Sequence, residues 1–132
     1  MQYLLDTHAL LWFIEGNPKL SLSAQNIILK KENEIYVSIA SLWEIAIKLS
    51  KEKPDADRLT FSKPFEALYQ YIEINSFQYL SISLEHLYKV KNLPHHHGDP
   101  FDRLLIAHAI TENMTMISVD KAFRAYPVAT TW

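Results

Sequence analysis

Short apolar runs typical of buried strands alternate with amphipathic segments typical of helices along the whole sequence. Strand patterns cover residues 2–5, 34–37, 78–82, 115–119 and 128–130, and helical patterns cover residues 7–15, 21–31, 38–51, 64–74, 83–91 and 99–112. Parallel strands need helical crossovers between them, and these crossovers cover both faces of the sheet. The alternation therefore predicts an α/β fold with a short, mostly parallel sheet of four to five strands flanked by helices on both faces.

Length and composition exclude several classes of protein. The 132 residues contain no repeat or linker, so residues 1–132 are predicted to form a single domain, with a loop at residues 51–64. Two glycines are too few for a glycine-rich phosphate-binding loop, and the absence of cysteine excludes disulfides, thiolate zinc sites and thiol nucleophiles. No stretch approaches the ~18 consecutive apolar residues of a membrane span, and the N-terminus lacks the basic region of a secretory signal. We therefore expect a cytoplasmic protein without membrane contact.

Two aspartates stand where predicted strands end. Asp6 follows the first strand directly, and Asp120 follows the strand at residues 115–119. In open parallel sheets ligands bind outside the carboxyl ends of the strands, so both acids are candidates for a binding site. Each could instead be the N-cap of the helix that follows it.

Glu44 lies within a helical segment that is apolar nearly all round. Such a helix is usually buried, and an unpaired buried carboxylate costs several kcal/mol. The structural alternative to a functional role is a salt bridge to Lys48, which is four residues further along the same helix.

The segment at residues 99–103 begins a helix and carries two more acids. Asp99 suits the N-cap and Pro100 the first helical position. Asp102 lies on the side of the helix that carries its apolar residues, so it points along the buried face. A carboxylate in that position needs a cation, which either Arg103 or a metal ion would supply.

Four of these carboxylates, Asp6, Glu44, Asp102 and Asp120, can reach one edge of the predicted sheet. Like charges placed together raise each other's pKa unless a cation lies among them. Oxygen ligands without sulfur favour Mg²⁺ or Mn²⁺, and these ions serve phosphoryl chemistry. The formal net charge of −2 argues against a broadly basic surface, but removing four of the 15 acids leaves 11 against 13 basic residues around an acidic centre.

Four motifs carry a family resemblance. The sequences LLDTHALLW at residues 4–12, SIASLWEI at 38–45 and DPFDRLLIA at 99–107 resemble the PIN-domain family, and more closely the VapC-like ribonuclease toxins of type II toxin–antitoxin pairs. SVDKAF at residues 118–123 is similar to the last motif of that family. The resemblance extends from Asp6 to the C-terminus, with the motifs in the order and spacing of the family.

The resemblance implies a PIN-like fold and a Mg²⁺-dependent endoribonuclease, with Mn²⁺ as a plausible substitute. Its catalytic, metal-binding acids would be the four carboxylates above. Asp99 matches an additional acid that either shares in metal binding or caps the helix. Residues near the metal or substrate would be Thr7, Ser118 and Arg103.

The partners that the resemblance implies are an RNA substrate, a small antitoxin protein and a second copy of the chain in a homodimer. Apolar residues of the helical region after Gly16 would help to form the antitoxin groove, although they could equally be ordinary core. These residues are Leu20, Leu22, Ile27 and Ile28.

Other observations leave alternatives open. The adjacent histidines His95, His96 and His97 cannot all face one ion and no matching ligand pattern follows them, so the sequence disfavours a metal role for them. The alternative functions are a PIN-fold nuclease that acts on other nucleic acid without an antitoxin, or a non-catalytic module that binds RNA or protein. The complete set of four acids argues against the binding module, because carboxylates repel phosphates unless a metal intervenes.

Overall fold

The computed structural model describes residues 1–51 and 61–132, so most of the predicted loop at residues 51–64 lies outside the described residues. The elements in chain order are β1 (Gln2–Leu5), α1 (Thr7–Glu15), α2 (Leu22–Leu29), β2 (Glu34–Ser38), α3 (Ile39–Leu49), α4 (Ala67–Ile74), β3 (Gln78–Leu80), α5 (Leu84–Asn92), α6 (Pro100–Thr111), β4 (Thr115–Ile117), a 3-10 helix (Lys121–Ala125) and β5 (Thr130–Thr131). The strands form one five-stranded sheet in the order β3-β2-β1-β4-β5, and every neighbouring pair is parallel. The α/β prediction is confirmed.

The central strand β1 is buried on both of its faces. Tyr3 and Leu5 belong to a core that α1, α2, α3 and α4 cover, whereas Leu4 belongs to a second core beneath α5 and α6. Successive side chains of a strand point to opposite faces, so an apolar run without alternation is what a strand between two helical layers requires.

The order in which the chain adds strands to the sheet reverses at β1. The chain leaves β1 towards β2 and β3 on one side and later returns to β4 and β5 on the other side. The backbone N–H of Asp6, directly after β1, donates to the carbonyl of Ile117 at 3.2 Å, so the ends of β1 and β4 lie side by side. A crevice at the carboxyl ends of such strands is where open α/β sheets bind ligands.

Three predicted strands are shorter or displaced. The strands predicted at residues 78–82 and 115–119 end at Leu80 and Ile117, and the strand predicted at residues 128–130 begins at Thr130. The backbone N–H of Val128 donates to the Tyr126 carbonyl at 2.8 Å, and this turn delays pairing with β4.

Among the described residues, no helix combines the length and apolar character that would let it cross a membrane.

The end of α1 depends on a left-handed residue. Gly16 has a φ of 63° and donates its backbone N–H to the carbonyl of Phe13 at 3.3 Å, which closes the last turn of the helix. Residues with a Cβ atom adopt this conformation at a cost of roughly 1–2 kcal/mol. A Cβ atom at Gly16 would contact nothing within 4 Å, so the cost of a substitution there arises from the backbone alone.

We therefore predict that Gly16→Ala lowers the free energy of unfolding by about 1 kcal/mol, measured by urea denaturation. Gly98→Ala is the matched control, because Gly98 has equally open surroundings without a positive φ. That control is expected to leave stability within about 0.5 kcal/mol of wild type. Equal effects of the two substitutions would contradict the account of the α1 terminus.

Candidate metal centre

Asp6 lies at the carboxyl end of β1 and also caps α1. Its Oδ1 accepts the backbone N–H of Ala9 at 2.7 Å, and its residue surface is only 6% exposed. The pKa of Asp6 is raised to about 7, chiefly by burial and also by the charges of Asp102 and Asp120, although hydrogen bonds from Ser118 and Ala9 act in the opposite direction. Asp6 is thus both an N-cap and a member of a charged cluster.

Glu44 is buried on α3, and both of its oxygens are held. The hydroxyl of Thr7 donates to Oε1 at 2.7 Å, and the Lys48 ammonium is 2.9 Å from Oε2. The salt bridge that the sequence offered as an alternative is present. It does not remove Glu44 from the cluster, because the charge of Glu44 raises the pKa of Asp102.

Asp99 and Asp102 have different roles at the start of α6. Asp99 is the N-cap, and its Oδ1 accepts the backbone N–H groups of Phe101 and Asp102 at 2.8 and 3.0 Å. The pKa of Asp102 is raised to about 6, chiefly by burial and also by the charges of Asp99 and Glu44, although the hydrogen bond with His97 lowers it. The geometry therefore accounts for Asp99 as a cap and leaves Asp102 facing the cluster.

Asp120 is the exposed member of the four acids. It caps the 3-10 helix by accepting the backbone N–H of Ala122 at 2.9 Å, while its own N–H donates to the Ser118 hydroxyl at 3.1 Å. Ser118 is buried beside it at the end of β4. Ser118 therefore contacts two of the acids, Asp6 through its side chain and Asp120 through the backbone of that residue.

The structure groups a histidine with two of the four acids, Asp102 and Asp120, and Asp6 and Glu44 lie outside this group. Nε2 of His97 is 2.8 Å from Oδ2 of Asp102, and potential ligand atoms of His97, Asp102 and Asp120 all lie within 4.8 Å of one another. His97 is five residues before Asp102, in the loop that leads into α6. The sequence disfavoured a metal role for it, because three adjacent histidines cannot all face one ion and no matching ligand pattern follows them.

The three adjacent histidines have separate environments. The ring of His96 packs edge-on against Tyr126 with centroids 5.2 Å apart, and His95 is exposed. The Tyr126 hydroxyl accepts the backbone N–H groups of His96 and His97 at 3.1 and 3.0 Å. The expectation that the three cannot share one ion agrees with this arrangement, in which His97 alone contacts the acids.

Arg103 is turned away from the acids. Its side chain is buried, and Nη1 donates to the Pro94 carbonyl and the Tyr126 hydroxyl at 2.8 and 3.2 Å. Nη2 donates to the carbonyls of Val90 and Leu93, both at 3.2 Å. Arg103 does not supply the cation for Asp102; it fastens the end of α5 and the loop at residues 93–97 to α6.

Comparison with known proteins identifies the family to which the chain belongs. Residues 3–129 match the family model of the PIN domain, so the chain belongs to the PIN domain family. Proteins of this family are generally nucleases that use divalent metals. A comparison with curated proteins gives no match.

Solved structures with the same fold include toxin–antitoxin complexes. VapBC2 from Rickettsia felis, bound to a DNA fragment from its promoter, is 24% identical with a TM-score of 0.71, over 100% of this chain and 99% of that chain. FitAcB from Neisseria gonorrhoeae is 18% identical with a TM-score of 0.67, over 98% and 96%. VapBC-1 from nontypeable Haemophilus influenzae is 17% identical with a TM-score of 0.64, over 99% and 97%. At these identities the likeness establishes the fold.

The raised pKa of Asp6 predicts a pH dependence of stability in metal-free protein. The folded state holds this proton more tightly than the unfolded state does, so its contribution to stability is present below about pH 4 and is lost as pH rises to about 7. Asp6→Asn should therefore be more stable than wild type at pH 8 in EDTA, by roughly 2–4 kcal/mol, and the difference should vanish near pH 4.

Urea unfolding from pH 4 to pH 8 measures this difference, with the exposed Glu73→Gln as a control that keeps the wild-type profile. At pH 8, added Mn²⁺ should stabilise wild type, by about 2.7 kcal/mol at 100 times its dissociation constant. Asp6→Asn should gain much less. A constant difference between wild type and Asp6→Asn across the pH range would contradict the raised pKa.

The hydrogen bonds of Arg103 predict a large structural effect. Arg103→Ala should lower the free energy of unfolding by at least about 3 kcal/mol, because it leaves buried carbonyls without a donor. The exposed Arg124→Ala should change it by about 0.5 kcal/mol or less. Thermal and urea unfolding measure both; similar losses in the two variants would contradict the anchoring role.

Proposed function

We propose that this protein is a divalent-metal-dependent endoribonuclease and the toxin of a type II toxin–antitoxin pair that acts in the cytoplasm. The observation that carries the proposal is the interaction of four acids at the switch point of a PIN-domain sheet: the charges of Asp102 and Asp120 act on Asp6, and the charge of Glu44 acts on Asp102. Burial and mutual repulsion both raise the free energy of an ionised carboxylate. A bound divalent cation offsets both effects, so such carboxylates are well suited to bind one.

The four acids contribute differently to binding of the ion. Asp6 and Asp102 are the principal ligands, because each has a raised pKa and each responds to the charge of at least two neighbouring acids. Glu44 and Asp120 complete the centre. A donor set of carboxylate oxygens suits Mg²⁺, with Mn²⁺ as a substitute, and such an ion activates water and stabilises charge on a phosphodiester.

Neighbouring residues fix the orientation of these ligands. Thr7 donates to Glu44 from the first turn of α1, and Ser118 donates to Asp6 from the end of β4. The Lys48 ammonium, 2.9 Å from Oε2, holds the other oxygen of Glu44. Because water attacks the phosphorus and the 3′ oxygen leaves, the reaction should give a 5′-phosphate and a 3′-hydroxyl and should not need the ribose 2′-hydroxyl.

An exposed aromatic pair supports a single-stranded substrate. Trp43 is 56% exposed, directly precedes Glu44 in sequence, and meets Phe101 edge-on with ring centroids 5.1 Å apart. Phe101 in turn directly precedes Asp102. Unpaired bases stack on aromatic side chains, so this pair can hold a base beside the reacting phosphate.

The antitoxin and the homodimer belong to the same proposal. Of the residues predicted to line an antitoxin groove, Leu20 and Ile28 are buried in the core, whereas Leu22 on α2 is 73% exposed. Leu29 on the same helix is 56% exposed. The solved complexes named above contain VapB-type or FitA-type partners, and this similarity of fold supports an equivalent partner here.

The test is cleavage of an end-labelled RNA pool by purified protein with Mg²⁺, with Mn²⁺ and with EDTA. Wild type should cut with either metal and not with EDTA. Asp6→Asn should lose at least about 100-fold in rate, and Glu73→Gln, whose side chain is remote from the acids, should keep wild-type activity.

The products and the substrate distinguish the alternatives. Products with 2′,3′-cyclic phosphates would contradict attack by water. Cleavage of a matched DNA pool but not of RNA would leave a nuclease and overturn the RNA assignment. Absence of cleavage of both pools by folded protein with either metal would favour a non-catalytic binding module.

A further inference from the structure

His97 contacts the acid cluster through a nitrogen atom that the proposed carboxylate centre does not need. Its Nε2 is 2.8 Å from Oδ2 of Asp102, and ligand atoms of His97, Asp102 and Asp120 all lie within 4.8 Å of one another. The side chains of His97 and Asp102 are 25% and 22% exposed, so an ion can reach them from solvent.

The spacing of these atoms fits a shared ion. In an octahedral site with bonds of about 2.1 Å, neighbouring ligand atoms lie about 3 Å apart and opposite ones about 4.2 Å apart. The separation of 2.8 Å between His97 and Asp102 corresponds to neighbouring positions. A ligand atom of Asp120 lies within 4.8 Å of those of His97 and Asp102, so small side-chain rotations would bring it to the same ion.

The backbone of His97 is held in place by buried groups on the side away from the acids. Its N–H donates to the Tyr126 hydroxyl at 3.0 Å, and Nη1 of Arg103 is 3.5 Å from its carbonyl oxygen. Arg103 and Tyr126 are both buried and are themselves joined at 3.2 Å. The imidazole is therefore presented to the acids from a fixed position, as a metal ligand requires.

We propose that His97 is a nitrogen ligand of the divalent-metal centre and makes the site prefer first-row transition ions to Mg²⁺. This inference rests on the proposed function for the other ligands. Mg²⁺ binds mainly oxygen, whereas imidazole nitrogen is a good ligand for the transition ions. A centre of carboxylates with one imidazole therefore gains affinity for Mn²⁺ and its heavier neighbours more than for Mg²⁺.

The direct test is pulsed electron paramagnetic resonance of the full-length protein with Mn²⁺, which detects ¹⁴N coupling from a coordinated imidazole. Wild type should show this coupling. His97→Ala should lose it, whereas His96→Ala should retain it because the His96 ring packs on Tyr126. Absence of ¹⁴N coupling in Mn²⁺-loaded wild type would overturn the assignment.

Affinity gives a second readout. His97→Ala should weaken Mn²⁺ binding at least about tenfold and Mg²⁺ binding by about threefold or less, by calorimetry and competition. His97→Gln places an amide oxygen near the same position, so it should retain Mg²⁺ binding but show no ¹⁴N coupling. Equal losses for both ions in a variant that unfolds at the wild-type urea concentration would overturn the proposed preference.

The RNA-cleavage assay keeps this inference separate from the proposed function. If wild type cuts RNA and Asp6→Asn does not, but Mn²⁺ shows no nitrogen ligand, only the role of His97 fails. If nitrogen coordination is present but no RNA is cut, the ligand assignment stands and the proposed ribonuclease activity fails.

Discussion

The burial of carboxylates that also repel one another, at the carboxyl end of β1, is the constraint on which the arrangement of this protein depends. Asp6 is buried there, and the charges of Asp102 and Asp120 act on it. The fold keeps these groups together by giving each a local function, since Asp6 caps α1 and Asp120 caps the 3-10 helix. A helix N-terminus stabilises negative charge, so the capping geometry lowers part of the cost of the cluster.

Capping and metal binding are therefore compatible uses of one residue. A carboxylate offers two oxygens with about four acceptor positions. Asp120 uses Oδ1 for the backbone N–H of Ala122, which leaves acceptor capacity on the other oxygen. Asp99 accepts two backbone N–H groups through its Oδ1 and is not in the group that His97, Asp102 and Asp120 form, so the geometry favours a capping role for it.

The sequence predicted the fold and the placement of the acids because both follow from simple geometry. Alternating strands and helices require a parallel sheet, and parallel strands bring Asp6 and Asp120 to one edge. The direction of Arg103 and the contact of His97 with Asp102 could not be predicted in the same way. Both depend on the loop at residues 93–97, whose shape is set by hydrogen bonds to Tyr126, about 30 residues away in sequence.

A second layer of residues links this loop to the site. Arg103 connects the end of α5, the loop and Tyr126, and the same loop carries His97 to the acids. The first layer, Thr7 with Glu44 and Ser118 with Asp6, is attached directly to the sheet edge. Precise positioning of ligands thus depends both on the strands and on one buried arginine.

The most direct test of the account is a crystal structure of the protein soaked with Mn²⁺, read by anomalous diffraction. The account predicts one strong anomalous peak within bonding distance of Asp6 and Asp102, with His97 as a further ligand. Well-diffracting crystals that show no anomalous peak among these residues, or that bind Mn²⁺ only elsewhere, would contradict the claim that the carboxylates form a metal centre.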